Sequence, residues 1–293
     1  MDGILIFDKP NGISSHGAVQ YLRRLTGIRR IGHLGTLDPL GTGVLPMIVG
    51  RATRLARFFT HKERVYESVI RFGFSTDSYD ADGKPTSEIT AVEVNQNQLE
   101  SLLPQFRGRL MQLPPPISAK KIDGVRAYKL ARKKQPVPLK PVEIEVYQFD
   151  LLSTQSGRAH VRVRCSAGTY LRSLAHDLGR ELGVGAHVQS LRRLAMGEFT
   201  IQDAYTVENL EQLRDENRLS EALLKPSTLL PDLPMERVDA ATAIRITHGC
   251  DFRVSAFSEG KGSTLLKAIA PDGRLIAIAE ARLPLLYHPI VVL

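Results

Sequence analysis

Gly32-His33-Leu34-Gly35-Thr36-Leu37-Asp38-Pro39-Leu40-Gly41-Thr42-Gly43-Val44-Leu45-Pro46 sets one carboxylate, Asp38, inside a run of glycines, threonines and prolines. Four glycines fall between Gly32 and Gly43, so the backbone can pass close to a bulky neighbour. Pro39 fixes the main chain just after the acid and biases Asp38 away from helix. His33 stands five residues upstream. Taken alone, Asp-Pro and Gly-rich dipeptides are turn formers. The run is not a P-loop, because the closing Gly-Lys-Ser/Thr is missing, and the chain has no Gly-x-Gly-x-x-Gly fingerprint. An acid held by so much rigid backbone reads as a reacting group when the rest of the chain is set beside it.

The 293 residues carry a net charge of +8, which points to a polyanionic partner. The charge is segregated. Residues 21–64 hold nine Lys/Arg and two acids, residues 107–134 hold nine bases against Asp123 alone, and residues 201–239 reverse the sign with nine acids against four bases. Hydrophobic content of 43% supports a packed core. No apolar run reaches the roughly 18 residues of a membrane span. The first residues lack the charged and apolar regions of a signal peptide. Two cysteines, Cys165 and Cys250, are too few for a disulfide framework or a zinc site. The eight histidines show no metal-ligand spacing. These features predict a soluble, cytoplasmic, metal-free protein.

Residues 3–7 form an apolar strand that ends at Asp8-Lys9-Pro10. Ser14 or Ser15 then caps a helix carrying Val19, Leu22 and Leu25, which stops at Gly27. Thr53 to Phe59 reads as a second amphipathic helix. Residues 64–74 form a strand with Tyr66, Ile70, Phe72 and Phe74 on one face. The Asp77, Asp80, Asp82, Gly83 stretch lacks the ligand spacing of a calcium loop and reads as a turn. Residues 97–103 look helical, and residues 142–149 and 158–165 alternate as half-buried strands. Leu171, Leu174, Leu178 and Leu182 make the stripe of a helix ending at Gly183. The pattern is α+β, with strands outside regular βαβ alternation. Pro226, Pro231 and Pro234 mark a boundary near residue 230. Beyond it, strands at 265–270 and 275–281 flank the Pro271-Asp272-Gly273 turn, and Ile290 to Leu293 closes a small β-rich unit.

The Asp38 run resembles the catalytic motif of the bacterial TruB-type pseudouridine synthases, which modify the T-loop of tRNA. Further stretches match that family in order: Gly3 to Ser15 with its Lys9-Pro10 pair, Arg64-Val65-Tyr66-Glu67, Leu113 to Tyr128, Cys165 to Leu174, and Gly185 to Arg193. Leu34 departs from the smaller or polar residue of many relatives. The resemblance implies a mixed or antiparallel-sheet catalytic domain at 1–230, with an RNA-clamping thumb at 107–140. It implies a PUA-like RNA-binding domain at 231–293. It implies that Asp38 is the nucleophile, paired with Arg172, and that Tyr66 stacks on the base and acts on the C5 proton. His33 would fill the vacated stack, while Tyr170 and Leu191 would line the base pocket. Lys120, Lys121, Arg126, Lys129 and Arg132, beyond the stiff Pro114-Pro115-Pro116 rod, would grip RNA.

The implied activity is isomerisation of uridine-55 in the tRNA T-arm. The N1–C1′ bond breaks, the flipped base turns and it rejoins through C5. No redox change or hydrolysis occurs, so no cofactor is implied. Three first steps are open to one carboxylate: attack at C1′, attack at C6, or removal of the C2′ proton. A glycosidase reading is disfavoured by the +8 charge, the absence of Trp and the lack of a second acid within these motifs. An RNA-binding module or folding chaperone without catalysis fits poorly with intact Asp38, Tyr66 and Arg172. The basic thumb and short C-terminal unit favour a stand-alone enzyme over the related guide-RNA-dependent subunit, needing neither guide RNA nor an obligatory protein partner. Binding to tRNA should weaken with salt, with a log–log slope of about −0.7 to −0.9 per phosphate contacted, measured by filter binding across a salt series.

Overall fold

In the computed structural model the described residues are 1–117, 121, 122, 125, 126, 139–255, 257, 258, 260 and 262–293. The described residues build two main sheets and a two-stranded hairpin. Strand β1 (Gly3–Lys9) is followed by helix α1 (Ser15–Thr26), β2 (Ile31–His33), β3 (Gly41–Val49) and a 3-10 segment at Gly50–Phe59. Next come β4 (Arg64–Phe72), helix α2 (Gln96–Leu102) and β5 (Gly108–Gln112). A short hairpin, β6 (Lys121–Ile122) and β7 (Val125–Arg126), pairs Lys121 with Arg126. Strands β8 (Val142–Gln155) and β9 (Arg158–Cys165) lead to helix α3 (Leu171–Glu181), β10 (Ala186–Met196) and β11 (Phe199–Thr200). Helix α4 (Val207–Asp215) and β12 (Leu223–Leu224) follow.

The large sheet runs β12-β1-β3-β10-β4-β9-β8-β5, with β2 on β3 and β11 on β10. Its described pairings are antiparallel except for the seam between β10 and β3. This bears out the α+β reading with a mixed sheet. The remaining chain forms β13 (Met235–Arg237), helix α5 (Ala240–Thr247), β14 (Phe252–Arg253), β15 (Leu265–Ile269), β16 (Leu275–Leu283) and β17 (Leu286–Val292). Their sheet order is β13-β15-β16-β17-β14.

The local rules explain most elements. Ser14 caps α1 by accepting from the Gly17 N–H, and Gly27 ends it at φ +71°. Alternation puts Tyr66, Ile70 and Phe72 of β4, and Ala159, Val161, Val163 and Cys165 of β9, into one core with the Leu171, Leu174 and Leu178 stripe of α3. The Thr53–Phe59 expectation changes form. The segment is a ten-residue 3-10 helix that still buries Ala52, Leu55 and Phe59. Strand β8 runs past residue 149 to Gln155, because β9 offers it pairing partners as far as Arg158.

A second core lies between the two sheets. Ile4, Ile6, Val44 and Ile48 of the large sheet pack with Ile269, Leu275, Ile278 and Val291 of the small one. Leu34 sits in this core at 5% exposure, which absorbs its bulk away from Asp38. The ammonium of buried Lys267 donates to the carbonyls of Leu229 (2.9 Å) and Ser227 (3.3 Å), tying β15 to the connecting segment. Ile278→Ala should lower unfolding stability by about 2–5 kcal/mol, read from denaturant midpoints, because a fully buried methylene-rich side chain leaves a cavity between the sheets.

Candidate active site

Asp38 lies in the loop between β2 and β3, and that loop is held by three polar side chains. From the β1–α1 connection, Ser15 Oγ accepts from the Leu37 N–H and donates to the Leu37 carbonyl, both at 2.8 Å. The buried Lys9 ammonium donates to Ile13 (2.7 Å), Pro10 (2.8 Å) and Pro39 (3.2 Å) carbonyls. From β10, the fully buried Arg193 guanidinium donates to Val44 (2.6 Å), Gly35 (3.2 Å) and Thr36 (3.5 Å) carbonyls. Gly43, at φ +94°, makes the β3–β10 seam possible. A Cβ there would stand 2.2 Å from the Arg193 carbonyl oxygen.

The sheet register brings the remaining groups in. Leu191 pairs with Gly41 across the parallel seam, and Arg193 pairs with Tyr66 of β4. Tyr170 precedes α3 and is clamped by the side-chain amide of Gln112 in β5. The amide nitrogen donates to the Tyr170 carbonyl (2.9 Å), and the amide oxygen accepts from the Tyr170 N–H (2.8 Å). Two residues later, Arg172 points from the first turn of α3 toward the loop. Its Nε is 2.9 Å from Asp38 Oδ2 and its Nη1 is 3.3 Å from Asp80 Oδ2. The same Nη1 donates to the Ser78 and Ile117 carbonyls at 3.0 Å each.

These groups line a cavity of about 320 Å³, with Asp38, Arg64, Tyr66, Tyr170, Arg172 and Leu191 in its wall. Its size suits a small ligand or one extruded nucleotide. Arg172 is nearly inaccessible at 5%, while the Asp38 side chain keeps 32% exposure toward the cavity. Burial pushes the Asp38 carboxyl above the ordinary carboxylate range, Arg172 opposes this, and the Asp80 charge adds to the rise. Burial also raises the Tyr66 phenol, although the neighbouring Arg193 guanidinium favours its ionised form. It lowers the Lys9 ammonium to about 8.

Asp38, Tyr66, Tyr170, Arg172 and Leu191 therefore share one cavity. His33 ends β2 opposite Met47 and is not among the cavity-lining residues. Lys120, Lys129 and Arg132 lie outside the described residues. The backbones of Lys121 and Arg126 face each other in the β6–β7 hairpin. Four groups went unread in the sequence. Lys9 and Arg193 lie inside recognised stretches without an assigned role, and Ser15 reads only as a candidate helix cap, not as a partner of the Asp38 loop. The fourth is Asp80: the 77–83 stretch forms turns as read, and it also supplies a second carboxylate beside Arg172. Asp80 is 7% exposed and stands behind Arg172, off the cavity wall, so it has no access to a leaving group. Among the described residues, no group of three His, Cys, Asp or Glu is placed to hold a metal ion.

Residues 23–171 match the TruB family pseudouridylate synthase N-terminal domain, and residues 172–236 match the tRNA pseudouridylate synthase B C-terminal domain. These two matches define a pseudouridylate synthase, an isomerase. The chain is 50% identical to the tRNA pseudouridine synthase B of Solibacter usitatus over all of both chains, and 40% identical to that of Aquifex aeolicus over 96% of each. A structure of an H/ACA RNP bound to a substrate RNA containing 2′-deoxyuridine shares the fold, with a TM-score of 0.73 at 22% identity over 99% of this chain and 84% of that one. The chain belongs to the TruB family of pseudouridylate synthases.

The raised Asp38 carboxyl has a sign that can be tested. When folding raises a carboxyl pKa, ionisation opposes folding, and stability is lost as pH rises through the unfolded value toward the folded one. Asp38→Asn should therefore melt at or above the wild-type temperature at neutral pH, with Arg172 still paired to Asp80. The difference should shrink as the pH falls below the ordinary carboxylate range, followed by circular dichroism.

Proposed function

We propose that this enzyme converts uridine-55 in the T-loop of tRNA to pseudouridine, with Asp38 as the nucleophile. The observation that carries this reading is the Asp38 carboxylate, ion-paired to Arg172 at 2.9 Å and open to a cavity bounded by Tyr66, Tyr170 and Leu191. The relatives named tRNA pseudouridine synthase B support tRNA as the substrate. So does the +8 charge. Arg172 favours the ionised carboxylate and aims it, opposing the desolvation of the site. Tyr66 presents its ring to the flipped base as a neutral phenol, and Tyr170 and Leu191 close the apolar sides. With Asp80 committed to Arg172, one acid faces the sugar, which suits a base that stays bound and is reattached. His33 would take the place of the extruded nucleotide. Lys120, Lys121, Arg126, Lys129 and Arg132 would hold the phosphates.

In this reading residues 1–230 are the catalytic domain, 107–140 its RNA-clamping thumb, and 231–293 a PUA-like RNA-binding domain. The small sheet has a hydrophobic cluster of its own around Leu266, Ala268, Ala277 and Tyr287, as a separate binding module requires. The enzyme acts alone in the cytoplasm, without guide RNA or a protein partner.

Incubating the purified protein with an unmodified tRNA transcript, and mapping the product by carbodiimide adducts and primer extension, should mark position 55. A protein that binds the transcript and leaves no mark overturns the proposal. Asp38→Asn should retain binding and lose turnover by at least about four orders of magnitude, the scale on which removal of a covalent nucleophile is felt.

A further inference from the structure

We propose that Tyr79 and His176 form a positioning clamp that holds Asp80 on Arg172, and thereby fixes the direction in which Arg172 presents the Asp38 carboxylate. The inference rests on the reading of Asp38 as the reacting group.

Asp80 owes its orientation to a short loop. Its Oδ1 is occupied by Ser78 Oγ (2.5 Å) and the Asp82 N–H (3.1 Å), and its carbonyl accepts from Thr76 Oγ1 (2.7 Å). Only Oδ2 is left for Arg172. The residue before it, Tyr79, stands at φ +64°. A bulky L-residue is strained in this left-handed region and persists there only when its surroundings over-determine it.

Those surroundings are visible. The Tyr79 ring stacks on His176, with centroids 3.8 Å apart and planes within 9°. His176 lies four residues after Arg172 on α3, so the two side chains share one helix face. The helix that supplies the arginine thus also supplies the platform for the loop opposing it. On the other side, β10 pins the same backbone: the Val188 N–H donates to the Tyr79 carbonyl (3.0 Å), and the Ala81 N–H donates to the Val188 carbonyl (2.9 Å). The loop is gripped between α3 and β10 at the residues on either side of the Asp80 carboxylate. His176 Nδ1 is buried with no hydrogen-bond partner among the described residues, so this nitrogen adds no bond to the grip and the ring acts through its face. Asp177 and Arg180 are the charged groups beside the stack, and burial disfavours the charged form of His176. A neutral imidazole against a neutral phenol is therefore the resting state.

A glycine is at ease at φ +64°, which separates the stack from the turn. If the turn alone were required, Tyr79→Gly would react like wild type. The clamp predicts that Tyr79→Gly and His176→Ala each slow single-turnover pseudouridine formation on an unmodified tRNA transcript on the order of 10- to 100-fold, the scale of a small misplacement of a reacting group. The Kd for tRNA should stay unchanged. Tyr79→Phe and His176→Phe, which keep two stacked rings, should stay near the wild-type rate. The acid limb of the rate profile should also move to lower pH in Tyr79→Gly, because the Asp80 charge helps to raise the Asp38 carboxyl against Arg172 and Lys9. Wild-type rates with an unmoved acid limb in folded Tyr79→Gly or His176→Ala overturn the clamp, and so does an equal loss in Tyr79→Phe. If Tyr79→Gly fails to fold, the His176→Ala and His176→Phe pair decides the matter. An inactive wild-type protein would instead overturn the pseudouridine-55 reading, leaving the two failures distinguishable.

Discussion

A single buried guanidinium organises this molecule's chemistry. Arg172 sits between two carboxylates and two backbone carbonyls, so its charge is balanced and its Nη1 is held by two carbonyls and Asp80. Such a group is costly to strand without partners in a protein interior, which makes its orientation stiff. Asp80 faces inward and takes no part in lining the cavity, whereas Asp38 stays open to it. The asymmetry leaves a symmetric-looking ion triad with one carboxylate open to the cavity.

The scaffold delivers that carboxylate from several directions. Lys9 and Ser15, from the junction of β1 and α1, and Arg193, from β10, hold backbone atoms of the Asp38 loop. The parallel seam between β3 and β10 needs Gly43, because any side chain there would collide with the Arg193 backbone. Gln112 treats Tyr170 as a strand partner and fixes the entry of the helix that carries Arg172. The packing of the small sheet against the back of β1 and β3 stiffens the same strands from behind.

The fold was legible where local rules and burial agree. Alternation along β4 and β9 and the leucine stripe of α3 appear in the structure as read. The 3-10 geometry at Gly50–Phe59 was not legible, since an amphipathic period does not distinguish tight from regular turns over ten residues. Asp38, Tyr66, Tyr170, Arg172 and Leu191 were found through their motifs, and the cavity gathers all five. Asp80 was passed over because an Asp-rich segment next to glycine has the same composition whether its acids face water or an arginine. Lys9 and Arg193 were seen as basic residues, but nothing local states that a cation will be buried among carbonyls.

What the amino-acid sequence determined by itself is the family, the candidate acid and the aromatic and cationic residues around it, because those depend on residue type within short stretches. Only the tertiary structure decided which charges meet. Asp38, Asp80 and Arg172 are far apart along the chain, and their pairing follows from sheet register and helix placement. Desolvation then turns those contacts into shifted proton affinities, and it depends on everything packed around a group, which no single stretch of sequence contains.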